Sequence, residues 1–101
     1  MKIAVVGSGI SGLSAAYYLS KKHHVDLFEK EDHFGGHSHT IDLIFGENKI
    51  SVDIGFIVFN YQTYPNLIDF FKENDVQIEK SNMSFSVSVD NTNFEYCGNG
   101  L

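Results

Sequence analysis

The sequence has one cysteine and one proline among its 101 residues, few basic side chains and no long apolar run. Because Cys97 has no second cysteine to pair with, an intrachain disulfide is excluded and nothing indicates an oxidising compartment. We therefore expect a cytoplasmic protein. No stretch approaches the roughly 18 consecutive apolar residues of a spanning helix, so a membrane span is not expected.

Basic residues are scarce as well as scattered. Seven lysine and arginine residues stand against thirteen aspartate and glutamate residues, which gives a formal net charge of -6. Nucleic acids are bound by a concentrated positive face, so a nucleic-acid partner is not expected. An anionic cofactor would have to be held mainly by backbone N–H groups.

The composition is otherwise that of a folded protein. Hydrophobic residues make up 43% and charged residues 20% of the chain, close to the averages of globular domains. A chain of this length holds one hydrophobic core and hardly two. We expect a single domain or part of one.

The spacing of apolar residues predicts an α/β chain. The β-branched run at 2–6 is typical of a parallel strand covered on both faces, whereas strict alternation at 84–89 predicts an antiparallel strand with one solvent-exposed face. Helical spacing begins at Ile10 and again at Pro65, with Asn74 as a C-terminal cap. Further strands are predicted at 24–29, 40–45, 49–54, 76–78 and 94–97, with a hairpin turn at 46–48.

A glycine fingerprint follows the first strand and opens the first helix. Its residues, Gly7, Ser8, Gly9, Ile10, Ser11 and Gly12, match the pattern G-x-G-x-x-G. An acidic residue, Glu29, ends the next predicted strand. Strand, fingerprint, helix and acid in this order predict a dinucleotide-binding βαβ unit over about residues 1–30. The competing interpretation is a purely structural turn with a surface glutamate.

Each part of the fingerprint has a physical role in this hypothesis. Gly7 permits the tight turn from strand to helix, Gly9 lets a pyrophosphate approach the main chain, and Gly12 lets the helix pack closely. The opening turn of the helix presents unpaired N–H groups and the positive end of its dipole to the phosphates. Glu29 is predicted to accept hydrogen bonds from ribose hydroxyls and to disfavour a 2′-phosphate, so FAD or NAD is expected rather than NADP.

With these motifs the chain resembles the flavin-containing amine oxidase superfamily, which includes monoamine oxidases, protoporphyrinogen oxidases and phytoene desaturases. The resemblance rests on the fingerprint, the strand end at 28–30, the pair Gly35-Gly36, and the segment 52–55 that leads into a helix beginning at 64–65. The variants at 36–40, 52–60 and 64–67 look most like a bacterial branch of amine-oxidase-like FAD proteins.

The resemblance implies FAD as the cofactor, with NAD less favoured, because the second glycine pair belongs to the flavin enzymes. In the family the loop after this pair approaches the FAD diphosphate and usually continues with arginine, where this chain has His37. The implied cofactor-binding residues are Gly7, Ser8, Gly9, Ile10, Ser11, Gly12, Glu29, Lys30, Gly35, Gly36, His37 and Gly55.

The resemblance also implies that residues 1–101 form the N-terminal part of an FAD-binding domain, because family members continue well beyond them. Residues 31–101 would then be an extension of that domain and the start of a second β region. A doubly wound sheet of about six strands needs several crossovers, so a Rossmann-like unit with added β-hairpins and an incomplete sheet is expected. The apolar segment 55–60 either extends a hairpin or runs past the cofactor.

The expected function is the FAD-binding portion of an oxidoreductase acting on a small-molecule substrate. The alternatives are a stand-alone dinucleotide-binding module and a fragment without activity. No catalytic residue is assigned. His33, His37 and His39 are interpreted as a polar loop rather than metal ligands, Cys97 as a small buried residue rather than a nucleophile, and Asp53 as structural rather than catalytic.

Overall fold

A computed structural model of the chain describes residues 1–98. Strands and helices alternate first and antiparallel strand pairs follow, as expected for an α/β chain with hairpins. The elements in this range are β1 (Lys2–Val6), α1 (Ile10–Ser20), β2 (His24–Phe28), β3 (Thr40–Phe45), β4 (Asn48–Asp53), α2 (Pro65–Glu73), β5 (Ser86–Ser88) and β6 (Glu95–Cys97).

The first three elements form the predicted βαβ unit. β1 and β2 pair in parallel, from Lys2 opposite His24 to Val6 opposite Phe28. α1 packs on one face of the pair, where Ile3 and Val5 are half-buried. The other face is open, since Val6 is 85% exposed. The prediction that β1 is covered on both faces is therefore wrong for the described residues, because they place a helix on one side only.

β3 and β4 form the predicted hairpin, with Phe45 opposite Asn48 and a turn in which Gly46 has a left-handed φ of 62°. The pairing continues past the strand ends. The Ile54 N–H donates to the His39 carbonyl at 2.9 Å and the Phe56 N–H to the His37 carbonyl at 2.7 Å. Of the two paths considered for the segment 55–60, its beginning therefore extends the hairpin.

α2 begins at the predicted proline and ends at the predicted cap. The Asn74 side chain donates to the Phe70 carbonyl at 2.9 Å. α2 contacts α1 through the rings of Tyr17 and Phe70, whose centroids are 5.5 Å apart, and through the Lys21 ammonium, which lies 3.2 Å from a Glu73 carboxylate oxygen. The two helices are thus held by aromatic and polar contacts at a shared surface.

The C-terminal part differs most from expectation. Residues 76–78 form no strand, because the Val76 N–H donates to the Phe71 carbonyl and closes the end of α2. β5 is shorter than predicted, and both of its faces are exposed instead of one. It pairs antiparallel with β6, where Cys97 is exposed and not buried as expected. Residues 99–101 of the predicted second β region lie outside the described residues.

The chain is extended for its length. Its Cα radius of gyration is 18.8 Å, against about 13 Å for a compact chain of 100 residues. Among the described residues, Ile68 is the one apolar residue that is buried, and Ser8 is the one residue with no exposed surface. In the same part of the chain, neither helix has the length and apolar character needed to cross a membrane.

Candidate dinucleotide-binding site

The fingerprint loop connects β1 to α1 by a turn that only glycine adopts easily. Gly7 has a φ of 95°, which lies in the region that side chains with a Cβ rarely adopt. Its N–H donates to the Phe28 carbonyl at 2.7 Å, at the end of β2. The predicted turn role of Gly7 agrees with this geometry.

Gly12 is required by packing. A Cβ at this position would lie 1.9 Å from the Gly7 carbonyl oxygen and 3.6 Å from Cγ1 of Val5. The helix therefore approaches the strand as predicted, but the tighter contact is with the backbone of the preceding loop. Any side chain at Gly12 would push α1 away from that loop.

Gly9 is different, because the described residues do not require glycine there. It is the N-terminal cap of α1, with φ -67° and ψ 177°, and a Cβ would meet no atom within 4 Å. The first turn of an α-helix leaves N–H groups without intrahelical partners. Ile10 and Ser11, which begin that turn, are exposed. The opening of α1 therefore presents backbone donors at a bare, accessible surface.

Glu29, predicted to contact a ribose, lies against this loop. Its Oε2 accepts hydrogen bonds from the Ser8 N–H, at 2.8 Å, and from the Ser8 hydroxyl, and its Oε1 accepts from the Glu31 N–H at 3.0 Å. The Ser8 hydroxyl, followed by the N–H groups of Glu31 and Ser8, lowers the pKa of Glu29 to about 2. The carboxylate is therefore ionised at neutral pH. The Lys30 ammonium is exposed and lies 3.6 Å from Glu31.

The second glycine pair packs directly on the fingerprint. The Gly35 N–H donates to the Ser8 carbonyl at 2.8 Å, and Gly9 and Gly35 form a parallel bridge. A Cβ at Gly36 would lie 3.0 Å from the Gly9 Cα. Both members of the pair have left-handed φ values, 110° and 59°. The structure thus brings together the two glycine motifs, which are 23 residues or more apart in the sequence.

A groove of about 490 Å³ continues from this contact and is lined by Gly36, His37, His39, Ile54, Gly55 and Phe56. Gly55 has no room for a side chain, because a Cβ there would lie 1.9 Å from the His37 carbonyl oxygen. Gly55 reaches this groove because the pairing of the hairpin extends beyond its strands. His37 lines the same groove.

The residues weighed for other chemistry serve the hairpin and its loop. The rings of His33 and His39 stack with centroids 4.1 Å apart, and the Thr40 hydroxyl donates to Asp53 across the hairpin. Over residues 1–98 no three histidine, cysteine, aspartate or glutamate side chains are grouped so that they could hold a metal ion.

Two features of this arrangement were not found from the sequence. One is the bond from the Ser8 hydroxyl to Glu29, which joins residues 21 positions apart. The other is charge: residues 1–25 hold three lysines and no acidic residue, a formal charge of +3, while the remaining four lysines and thirteen acids give -9. The absence of acidic residues from positions 1–25 was a usable signal, because acids next to the fingerprint in the sequence would oppose an anion at the helix opening.

A model of the NAD(P)-binding Rossmann-like domain matches residues 5–74, which include both glycine motifs, Glu29 and the hairpin. The chain belongs to this family. The match confirms the Rossmann-like, dinucleotide-binding character predicted from the fingerprint.

Three curated proteins are similar to this chain. A 1-hydroxycarotenoid 3,4-desaturase from Flavobacterium sp. (strain P99-3) is 44% identical over 69 residues, which are 67% of this chain and 13% of that protein. A 15-cis-phytoene desaturase from Synechococcus elongatus is 31% identical over 78 residues, 76% of this chain and 16% of that protein. A 4-hydroxybenzoate brominase (decarboxylating) from Marinomonas mediterranea is 36% identical over 61 residues, which are 59% of this chain and 10% of that protein.

The chain spans between 10% and 16% of the length of these relatives. Phytoene desaturases are among the flavin enzymes that the motifs resemble, so the relatives confirm FAD as the predicted cofactor. They also place the chain with desaturases and other flavin oxidoreductases in general.

Proposed function

We propose that this chain binds the ADP moiety of FAD and forms the N-terminal part of the FAD domain of an amine-oxidase-like oxidoreductase. When bound, the flavin would supply the redox chemistry, accepting a hydride equivalent from a C–C or C–N bond of a small-molecule substrate. Two of the relatives are desaturases, which supports the C–C alternative. We also propose that the protein is cytoplasmic, as expected from its single cysteine.

The conformation and surroundings of Gly9 carry this proposal. Serine, threonine, aspartate and asparagine are favoured at a helix N-cap because they bond a free N–H group. Gly9 has room for such a side chain and a φ that permits one, yet it leaves the cap without a side-chain bond. A bare cap is explained if a ligand occupies the space where the side chain would project, as a diphosphate at a helix N-terminus does.

The surrounding groups suit the rest of the nucleotide. In our proposal the N–H groups at Ile10 and Ser11 face the diphosphate, and the ionised Glu29 accepts from the adenosine ribose. Gly35 and Gly36 hold the second loop against Gly9. The groove beside Gly36 would then receive the part of FAD that leads from the diphosphate toward the flavin, with His37 as a polar neighbour in place of the family arginine.

Binding of ADP tests the proposal directly. In the full-length natural protein, freed of bound flavin, we expect ADP to bind and to compete with FAD. Glu29→Ala should weaken ADP about ten-fold or more, because a hydrogen bond to a charged group is lost. Glu47→Ala is the matched control, since Glu47 is an exposed glutamate in the hairpin turn; it should leave the affinity unchanged.

Three results would contradict the proposal in different ways. If ADP does not bind, the nucleotide assignment is wrong. If ADP binds but FAD does not, and the purified protein lacks a flavin spectrum, the chain is a nucleotide-binding module and not part of a flavin enzyme. If Glu29→Ala and Glu47→Ala bind ADP equally well, the carboxylate does not contact the ribose.

A further inference from the structure

The rings of His33 and His39 stack at the two ends of the second glycine loop, residues 33–39. Their centroids are 4.1 Å apart and their planes are inclined by 23°. His33 lies in the stretch after β2, whereas His39 is fixed to the hairpin, where its carbonyl accepts from the Ile54 N–H at 2.9 Å. The stacked pair, which we call the histidine clasp, therefore joins the two ends of the loop.

Between the two rings the loop packs on the fingerprint. The Gly35 N–H donates to the Ser8 carbonyl at 2.8 Å, and the Ser38 N–H donates to the Gly35 carbonyl at 3.0 Å. A Cβ at Gly36 would lie 3.0 Å from the Gly9 Cα, so the loop lies close to the residue over which the diphosphate is proposed to bind. Opening the loop would therefore change the surface that meets the ligand.

Protonation changes the forces within the clasp. Histidine changes its charge between about pH 5 and 8. Two neutral rings attract each other as aromatic rings do, and a protonated ring is attracted by the face of a neutral one. Two protonated rings with centroids 4.1 Å apart repel each other. The clasp is therefore stable with one proton and is opposed by the second.

The charged groups around the clasp favour the first proton more than the second. The His33 Nδ1 lies 3.3 Å from an Asp32 carboxylate oxygen, whereas over residues 1–98 His39 makes no ion pair. At the near end of the hairpin, Asp53 accepts from the Thr40 hydroxyl instead. The other charged or titratable groups of this region are Glu29, which its pKa of about 2 keeps ionised, the pair Lys30 and Glu31, 3.6 Å apart, and His37, which lines the groove with His39.

We propose that the histidine clasp is a pH-sensitive switch: the second glycine loop stays closed on the fingerprint while at most one of the two rings is protonated, and it opens when both are. The inference rests on the proposed function, because it concerns how FAD binding at the same site is regulated. Its consequence is an affinity for FAD that falls as the pH is lowered from about 8 toward about 5.

Titration of FAD at several pH values tests this in the full-length protein freed of flavin. FAD is the suitable probe because its diphosphate is esterified at both ends, whereas the terminal phosphate of ADP itself titrates near pH 6. We expect the affinity to fall about ten-fold or more between pH 8 and pH 5. In His33→Phe, which keeps a ring to stack on but cannot be protonated, the fall should be less than about three-fold.

Two other histidines provide the controls. His24 is exposed and lies 3.1 Å from Asp26, at the end of β2 opposite the fingerprint. It faces a carboxylate as His33 does but has no stacked ring, so His24→Phe should lose affinity with pH as the wild type does. A protonated His37 would attract the diphosphate, so the affinity of His37→Gln should fall at least as steeply as that of the wild type.

A second measurement needs no FAD. In NMR spectra of the protein labelled at its histidine rings, we expect nuclear Overhauser contacts between the rings of His33 and His39 at pH 8 and their loss at pH 5. Circular dichroism at both pH values shows whether the rest of the protein stays folded. If His33→Phe does not fold, His39→Phe takes its place with the same expectation.

The outcomes separate the inference from the function beneath it. If the affinity of the wild type for FAD does not fall with pH, or if His33→Phe loses it as steeply, the inference is overturned while FAD binding stands. The inference is also overturned if the fall disappears in His37→Gln. If FAD does not bind at pH 8, the proposed function is overturned, and the ring contacts alone decide: their persistence at pH 5 rejects the switch and their loss supports it.

Discussion

The substitution Gly9→Ala separates a glycine required by the ligand from glycines required by the fold. At φ -67° an alanine is unstrained, and its methyl group meets nothing within 4 Å. Two effects on stability oppose each other. Alanine is a poorer N-cap than glycine by about 0.5–1 kcal/mol, and it restricts the unfolded chain by about 0.4–1 kcal/mol in favour of folding. The free energy of unfolding should therefore change by less than about 0.5 kcal/mol.

The effect on binding should be much larger. If the FAD diphosphate lies over the bare Gly9, the methyl group fills space that the ligand needs, and forcing an extra carbon into a packed contact costs about 1–3 kcal/mol. That range corresponds to about 5- to 150-fold weaker binding. Titration of FAD into the flavin-free protein, followed by calorimetry, measures the affinity, and thermal unfolding by circular dichroism measures the stability of the same preparation.

Two further glycines serve as comparisons. Gly12→Ala puts a methyl group 1.9 Å from the Gly7 carbonyl oxygen. That overlap should cost at least about 3 kcal/mol, partly offset by about 1 kcal/mol of helix propensity. The free energy of unfolding should thus fall by about 2 kcal/mol or more. At Gly98 the nearest atom to an added Cβ is 3.5 Å away, an ordinary contact, so Gly98→Ala should change neither stability nor binding.

If Gly9→Ala binds FAD as tightly as the wild type while remaining folded, the open space at Gly9 has nothing to do with the cofactor. If Gly9→Ala lowers the unfolding temperature as much as Gly12→Ala does, the fold itself depends on a bare Gly9.

Two other predictions concern the contacts around this loop. Gly36→Ala places a Cβ 3.0 Å from the Gly9 Cα, at a residue whose φ is 59°. Because left-handed backbone costs a non-glycine residue about 1–2 kcal/mol, thermal unfolding should show reduced stability and titration a weaker FAD affinity. Unchanged stability together with unchanged affinity would contradict the contact between the two loops. The second prediction concerns pH. The pKa of Glu29 is lowered from 4.5 to about 2, so the stabilisation that its hydrogen bonds give the fold is complete above about pH 4.5 and is lost as the pH falls toward 2. Urea midpoints of wild type and Ser8→Ala should therefore differ by a constant amount above pH 5 and converge below it, and a constant difference down to pH 2 would contradict the shift.

Much of the fold was predictable because it depends on local sequence. The β1-α1-β2 unit, the hairpin with Gly46 in its turn, and α2 from Pro65 to its Asn74 cap all follow from apolar spacing and from residues that begin or end elements. The strand predicted at 76–78 was wrong because a strand needs a partner, and apolar spacing cannot show that Val76 closes a helix end instead.

The site was predictable in its membership but not in its connections. The fingerprint, Glu29 and the second glycine pair were recognised separately, from their residue types and order. That Gly35 bonds the Ser8 carbonyl, and that the Ser8 hydroxyl bonds Glu29, depends on how the β2 end and the following loop fold back on the first loop. Such contacts join distant residues, so no spacing rule reports them.

The contacts that shape the site do not depend on a large core. The loop is fixed by backbone bonds, from the Gly7 N–H to the Phe28 carbonyl and from the Gly35 N–H to the Ser8 carbonyl, and by the buried hydroxyl of Ser8. Most apolar side chains in the described residues are instead partly or largely exposed, as Ile44 is at 78%. A site whose donors are already held in place loses less conformational entropy when a ligand binds. Substitutions of exposed hairpin residues such as Ile44 should therefore leave nucleotide affinity unchanged, whereas Ser8→Ala, which removes one of the hydrogen bonds that hold Glu29, should weaken nucleotide binding.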